Sequence, residues 1–197
     1  MTRHITLQTP HGSLHGQFDS PEAPRGLLLI ARAHHSVADG AIAAKFEDCG
    51  YAAFAMELLS MQEMQFPDAT QNVPRLASRL IDVLDLIRND GDMQALPLAI
   101  FGTGDVAPAI VRAAAQRDTQ VRALVCHGGL IDRAGIQALN LLTAPLLMLF
   151  DTDDSIGQTA YRRAASHLRC DRDMQSMANG EDPTARIVTW LLRHQAA

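Results

Sequence analysis

Four short runs of unbroken apolar residues, 26–31, 51–56, 97–101 and 145–150, and a fifth, 121–126, interrupted only by Arg122, constrain this chain more than any other feature. A strand with one wet face alternates apolar and polar side chains, whereas a continuous run marks a strand covered on both faces, as in a parallel sheet between two helical layers. Helical patterns fall between the runs. They are expected over about 41–48, stopped by Gly50, and from Pro74 onward, where Leu76, Leu80, Val83, Leu84 and Ile87 keep helical spacing. Further helices are expected over about 105–116, 157–168 and 183–194. Strand and helix alternating in this way predict an α/β architecture, a mostly parallel sheet with helices on both faces and right-handed crossovers. The opening segment differs. Residues 5–8 and 13–18 alternate around Pro10, His11 and Gly12, which predicts an antiparallel hairpin at the sheet edge. The irregular stretch from Glu57 to Asn72 is too short for a cap domain.

At 197 residues, with 47% hydrophobic and 20% charged, the chain fits one well-buried domain spanning 1–197. Its 17 Lys and Arg against 22 Asp and Glu leave a net charge of -5, with no basic run interleaved with aromatics, so nucleic acid is not an expected partner. No apolar stretch approaches the roughly 20 residues that span a bilayer, and the first residues lack an apolar leader core, so the expectation is a cytoplasmic protein without a membrane partner. Cys49, Cys126 and Cys170 are odd in number and widely spaced, which suits neither a disulfide framework nor a zinc site. Gly102 and Gly104 follow a strand, but the third glycine of a dinucleotide fingerprint would fall at Ala107, and no Walker A sequence is present. No cofactor is expected. The expected partners are a small-molecule ligand or substrate and, as an option, a second copy of the chain.

Ligands of open α/β sheets bind beyond the carboxyl ends of the strands, so residues just after each apolar run are the candidates. They are His34 and His35, Glu57, Thr103, Gly104 and Asp105, Cys126, His127, Gly128 and Gly129, and the cluster Asp151, Thr152, Asp153 and Asp154. The stretch from Leu98 to Ala109 reads as a buried strand breaking through small residues into an Ala-rich helix.

Four segments, 26–35, 98–115, 123–129 and 144–153, together resemble a small α/β-hydrolase of the dienelactone-hydrolase-like kind, from about Pro24 to Leu192. The resemblance implies a single-domain α/β-hydrolase fold without a substantial cap, and hydrolysis of an ester, thioester or lactone through an acyl-enzyme. It also implies a Ser, Cys or Asp nucleophile at a tight elbow between strand and helix. Carried over by position, Gly104 lies at that tip, Asp153 matches the family acid with Asp151 and Asp154 as competitors, and the family histidine should fall near 176–180, where none occurs. His167 lies within the preceding helix and His194 at the end of the last one.

Several readings follow. A shifted register makes Asp105 the nucleophile, while its place before an Ala-rich helix also suits an N-cap. His34, His35, His127 and one of the aspartates are candidates for a divalent metal. Adjacent histidines on extended backbone point apart, so loop or pocket histidines, and no metal, are the expected outcome. Cys126 is either a displaced thiol nucleophile beside His127 or a small buried packing residue. Glu57 is either an orienting carboxylate or a solvated strand end. The catalytic candidates are thus Asp105, His127 and Asp153, with His34, His35, Glu57, Thr103, Gly104 and Cys126 as pocket residues. An intact serine-hydrolase triad is absent, leaving a ligand-binding or protein-interaction role, or a divergent hydrolase.

Overall fold

A computed structural model describes residues 1–10, 12–34 and 38–194, with side chains of 38–40 left undescribed. Each apolar run forms a strand, and the eight strands make one sheet in the order β1-β2-β4-β3-β5-β6-β7-β8. β1 (Thr2–Thr9) and β2 (Gly12–Asp19) form the expected antiparallel hairpin, and β2 also pairs antiparallel with β4 (Ala52–Glu57). From β4 the sheet is parallel through β3 (Leu27–Arg32), β5 (Leu98–Thr103), β6 (Val121–His127), β7 (Leu146–Asp151) and β8 (Arg172–Met177).

Strand alternation divides the core into two layers. Leu27, Leu29, Ile100, Leu124, Cys126 and Met148 share one with α2 (Val73–Asn89), α3 (Ala107–Ala114) and α5 (Ser155–Ala165). Leu28, Ile30, Ala99, Phe101, Val125, Leu147 and Leu149 share the other with α1 (Ala38–Asp48) and α6 (Thr184–His194). The short α4 (Ile136–Leu141) joins the first layer through Leu139. Two-sided burial explains the unbroken apolar runs. Among the described residues, no helix is long and apolar enough to cross a membrane.

One strand was not predicted. β8 reads Arg-Asp-Met-Gln-Ser-Met and is mostly half-buried or exposed, so it carries no apolar run. As a sheet edge it needs none, and the Asp173 carboxylate accepts from the Met174 N–H at 2.8 Å, which occupies a backbone donor that could otherwise recruit another strand. The expected helix over 105–116 is also shorter, because a 3-10 turn over Gly104–Val106 precedes α3.

The segment between β4 and α2 is tied down by a buried charge pair as well as by the core residues Leu58, Leu59 and Ala69. Arg79 on α2 is 4% exposed and Glu63 is 6% exposed. The guanidinium donates to both Glu63 oxygens at 2.6 Å and to the Leu58 carbonyl at 2.6 Å. The Ser60 N–H and hydroxyl each reach Glu63 Oε2 at 2.9 Å. α2 itself starts from Asn72, whose side chain accepts the Arg75 N–H at 3.1 Å, and from Pro74 in the first turn. Burial alone would raise the Glu63 carboxyl, but the hydrogen bonds from Arg79 and Ser60 and the Arg79 charge hold it down to about 2.

Because the folded value lies below the unfolded one, this carboxylate adds stability above pH 4.5 that is lost as pH falls toward about 2. The gain at neutral pH is about 3 kcal/mol. Arg79→Met is expected to cost about 3–5 kcal/mol in urea denaturation, since it strands a buried carboxylate. It should also flatten the fall in stability across that acid range.

Candidate functional site

The strand ends converge on the α1/α6 side of the sheet. Ala99 and Phe101, Val125, and Leu147 and Leu149 face that layer, so by alternation the next residues in step, Thr103, His127 and Asp151, share its face. Arg32 follows Leu28 and Ile30 in the same way, and Glu57 follows Ala53 and Ala55. Arg32 is directly in register with Glu57, and Thr103 with His127. A polar row, Glu57, Arg32, Thr103, His127 and Asp151, thus crosses five neighbouring strands at their carboxyl ends.

At the centre of this edge the chain turns sharply. Thr103 is extended, Gly104 takes φ +58° and Val106 is already helical. A left-handed φ at the tip is the strained turn that a nucleophile elbow requires. The tip residue is therefore Gly104, and a β-carbon built on it meets nothing within 4 Å. The neighbouring turn is as tight as that position is open. A β-carbon on Gly129, at φ +93°, would fall on the Gly104 carbonyl oxygen and lie 2.8 Å from the Ala107 β-carbon. On the α3 side, a side chain at Gly102 would collide with Ile110.

A cleft of about 340 Å3 opens beside the elbow, lined by Arg32, Ala33, His34, Thr70, Thr103, Asp105 and Val106. Asp105 is exposed and accepts a 2.7 Å hydrogen bond from the Thr70 hydroxyl across the cleft. It makes no capping bond to α3, contrary to the N-cap reading, because the 3-10 turn carries its side chain toward Thr70 instead. His34 is exposed at the cleft wall, while His35 lies outside the described residues. Glu57 lies half-buried at the end of β4 in the polar row. Cys126 belongs to the core rather than to the pocket. It faces the α2/α3 layer with no exposure, and burial pushes its thiol up to about 12, so it offers no thiolate.

Two polar pairs flank the elbow on its other side. His127 Nε2 lies 3.1 Å from Asp151 Oδ1, a contact that suits the ring tautomer with Nε2–H donating to the carboxylate. Asp153 accepts a 2.9 Å hydrogen bond from Asn179 Nδ2, and the Thr152 hydroxyl donates to Asn179 Oδ1 at 3.4 Å. Asn179 lies between β8 and α6, within the 176–180 window expected for the family histidine, and it contacts the expected acid. Asp154 has a separate task as the cap of α5, accepting the Gly157 N–H at 2.8 Å. Among the described residues, no group of three or more His, Cys, Asp or Glu side chains is placed to hold a metal ion.

Arg32, Thr70 and the Asp153–Asn179 contact add to the sequence-derived set. Arg32 was readable by counting in twos from Leu28 and Ile30. Thr70 carries no local signal, because the folded segment over Glu63–Gln71 brings it to the cleft.

This architecture is the α/β-hydrolase fold, and solved structures of that kind superpose on it. A dienelactone hydrolase from Anabaena variabilis matches with a TM-score of 0.88 at 22% identity, over 99% of this chain and 98% of that one. Est1E from Butyrivibrio proteoclasticus gives 0.78 at 10% identity, over 98% and 99%. A cold-adapted esterase from an Arctic intertidal metagenomic library gives 0.74 at 14% identity, over 98% and 94%. No family model matches the chain. In sequence it is 32% identical over 153 residues to a protein of Mycobacterium tuberculosis H37Rv that bears the name of a proposed phosphoribosyl transferase. That match takes in 76% of this chain and 34% of the relative, as does the same match in strain CDC 1551, so the chain spans about a third of the length of the curated relatives it matches.

The two glycines should respond unequally to an added methyl group. Gly104→Ala meets open space and is expected to cost only the left-handed backbone term, about 1–2 kcal/mol. Gly129→Ala must displace the elbow itself and should lower thermal stability considerably more, a difference that paired calorimetry of the two variants will read.

Proposed function

We propose that this chain binds a small polar molecule, of the ester, lactone or carboxylic acid class, in the cleft beside Gly104, and that it does so without forming an acyl-enzyme. The observation that carries this reading is the elbow tip. Its backbone holds the strained conformation of a nucleophile position and its surroundings leave room for a side chain, yet the residue is glycine. A second observation agrees. The Asp153 carboxylate is engaged by an asparagine amide, which cannot take a proton from a hydroxyl. Without nucleophile and base the acyl-enzyme route loses most of its acceleration, because those residues act as a unit. The ligand class is supported by the fold neighbours named as a dienelactone hydrolase and an esterase. The transferase name adds no support, since the matched region is a third of that protein.

A second reading takes Asp105 as a nucleophile, favoured by its exposed carboxylate on the cleft wall. The left-handed residue of the elbow is the one before it, and its Oδ2 is held by Thr70. An aspartyl ester detected by mass spectrometry after reaction, and absent in Asp105→Asn, would establish that reading.

Intact-mass spectrometry after incubation with a fluorophosphonate tests the main proposal. No adduct is expected, and stoichiometric labelling would overturn it. Lactones and small carboxylic acids screened by thermal shift should include stabilising ligands whose effect grows with the logarithm of concentration. Thr70→Trp, which fills the cleft, should abolish that stabilisation. Gly104→Ser combined with Asn179→His is expected to gain fluorophosphonate labelling.

A further inference from the structure

The His127–Asp151 pair lies outside the acyl-enzyme scheme, and its placement gives it chemistry of its own. Asp151 holds Nε2 at 3.1 Å, and His127 Nδ1 makes no hydrogen bond among the described residues and is not among the buried polar atoms lacking a partner. The free nitrogen of the ring therefore meets solvent, with the imidazole only partly exposed at 23%. His127 is in direct register with Thr103, which lines the cleft, and both face the α1/α6 side. Neighbouring strands lie about 4.8 Å apart, so the imidazole stands one strand from the cleft wall. The turn after it, Gly128–Gly129, rests on the Gly104 carbonyl and locks this strand end to the elbow.

We propose that His127 is a general base of this site, that Asp151 positions it, and that the pair lets the cleft hydrolyse activated esters or lactones by direct attack of water, with no covalent intermediate. The proposal rests on the acyl-enzyme-free reading above. In the first step His127 Nδ1 takes a proton from a water molecule as the water oxygen bonds to the carbonyl carbon, and the carbonyl π electrons move to its oxygen. In the second, those electrons re-form the carbonyl and the bond to the leaving oxygen breaks. The imidazolium returns its proton to that oxygen, giving acid and alcohol. Asp151 stays ionised throughout, holding the ring orientation and offsetting the imidazolium charge. The arrangement differs from a serine triad in two respects: the carboxylate takes Nε2, and the base comes from the end of β6.

The test uses the whole chain with p-nitrophenyl acetate and the lactone dihydrocoumarin. The wild type should turn over slowly, above buffer, with no burst and with no loss of rate after fluorophosphonate treatment. His127→Ala should lower kcat on the order of 10²-fold. Added imidazole should restore a large part of that rate, measured above the same imidazole without protein, which no purely structural role of His127 would allow. Asp151→Asn should lower kcat with little change in KM. His127→Gln, checked for an unaltered melting temperature, separates loss of the base from loss of the fold. Absence of turnover above buffer, or turnover indifferent to His127→Ala, overturns this inference and leaves the ligand-binding reading standing. A fluorophosphonate adduct overturns the reading beneath it.

Discussion

The contact on which the carboxyl-end edge of the sheet depends is the one between two turns, where Gly129 lies against the carbonyl of Gly104. No side chain fits there. That contact holds the end of β6 against the elbow after β5, where Thr103 lines the cleft and His127 stands in register with it on the next strand. Gly102, packed under Ile110, seats α3 close behind the same turn. Gly129 and Gly102 thereby let the two turns and α3 pack closely at the carboxyl ends of the strands.

The cleft is completed from a different direction and by a different force. The segment after β4 is anchored in the core at Leu58, Leu59 and Ala69, while Met61 and Phe66 between them are exposed. Its conformation is set by the buried Glu63–Arg79 pair and the Ser60 hydrogen bonds. Those bonds cross 16 residues of sequence from Glu63 to Arg79 and bring Thr70 to Asp105. A buried ion pair of this kind is weak as a net source of stability but demanding in geometry, since either partner alone is costly. One wall of the cleft is therefore defined by packing alone and the other by packing and a buried charge pair.

Much of this was legible beforehand, for reasons tied to particular residues. The unbroken apolar runs at 26–31, 97–101 and 145–150 could only be strands covered on both faces, and they are. The glycine at 104 announced a strand-to-helix elbow whose tip carries no nucleophile, and its φ of +58° places the tip there. The window 176–180 contains Asn179, whose amide donates to Asp153. β8 escaped detection because an edge strand needs no apolar run, and Arg32 because its charge outweighed its position in the strand alternation.

The chain's sequence alone determined the strands buried on both faces, the helices between them and the glycine at the strand-to-helix elbow, because burial on two faces and backbone strain leave local marks in residue type. Only the tertiary structure decided which strand-end residues meet. It paired His127 with Asp151 rather than with Asp153, gave Asp153 to Asn179, buried Cys126 and turned Asp105 toward Thr70. Those choices depend on strand parity, on register between neighbouring strands and on a charge pair between distant segments, none of which is a property of any one stretch of chain.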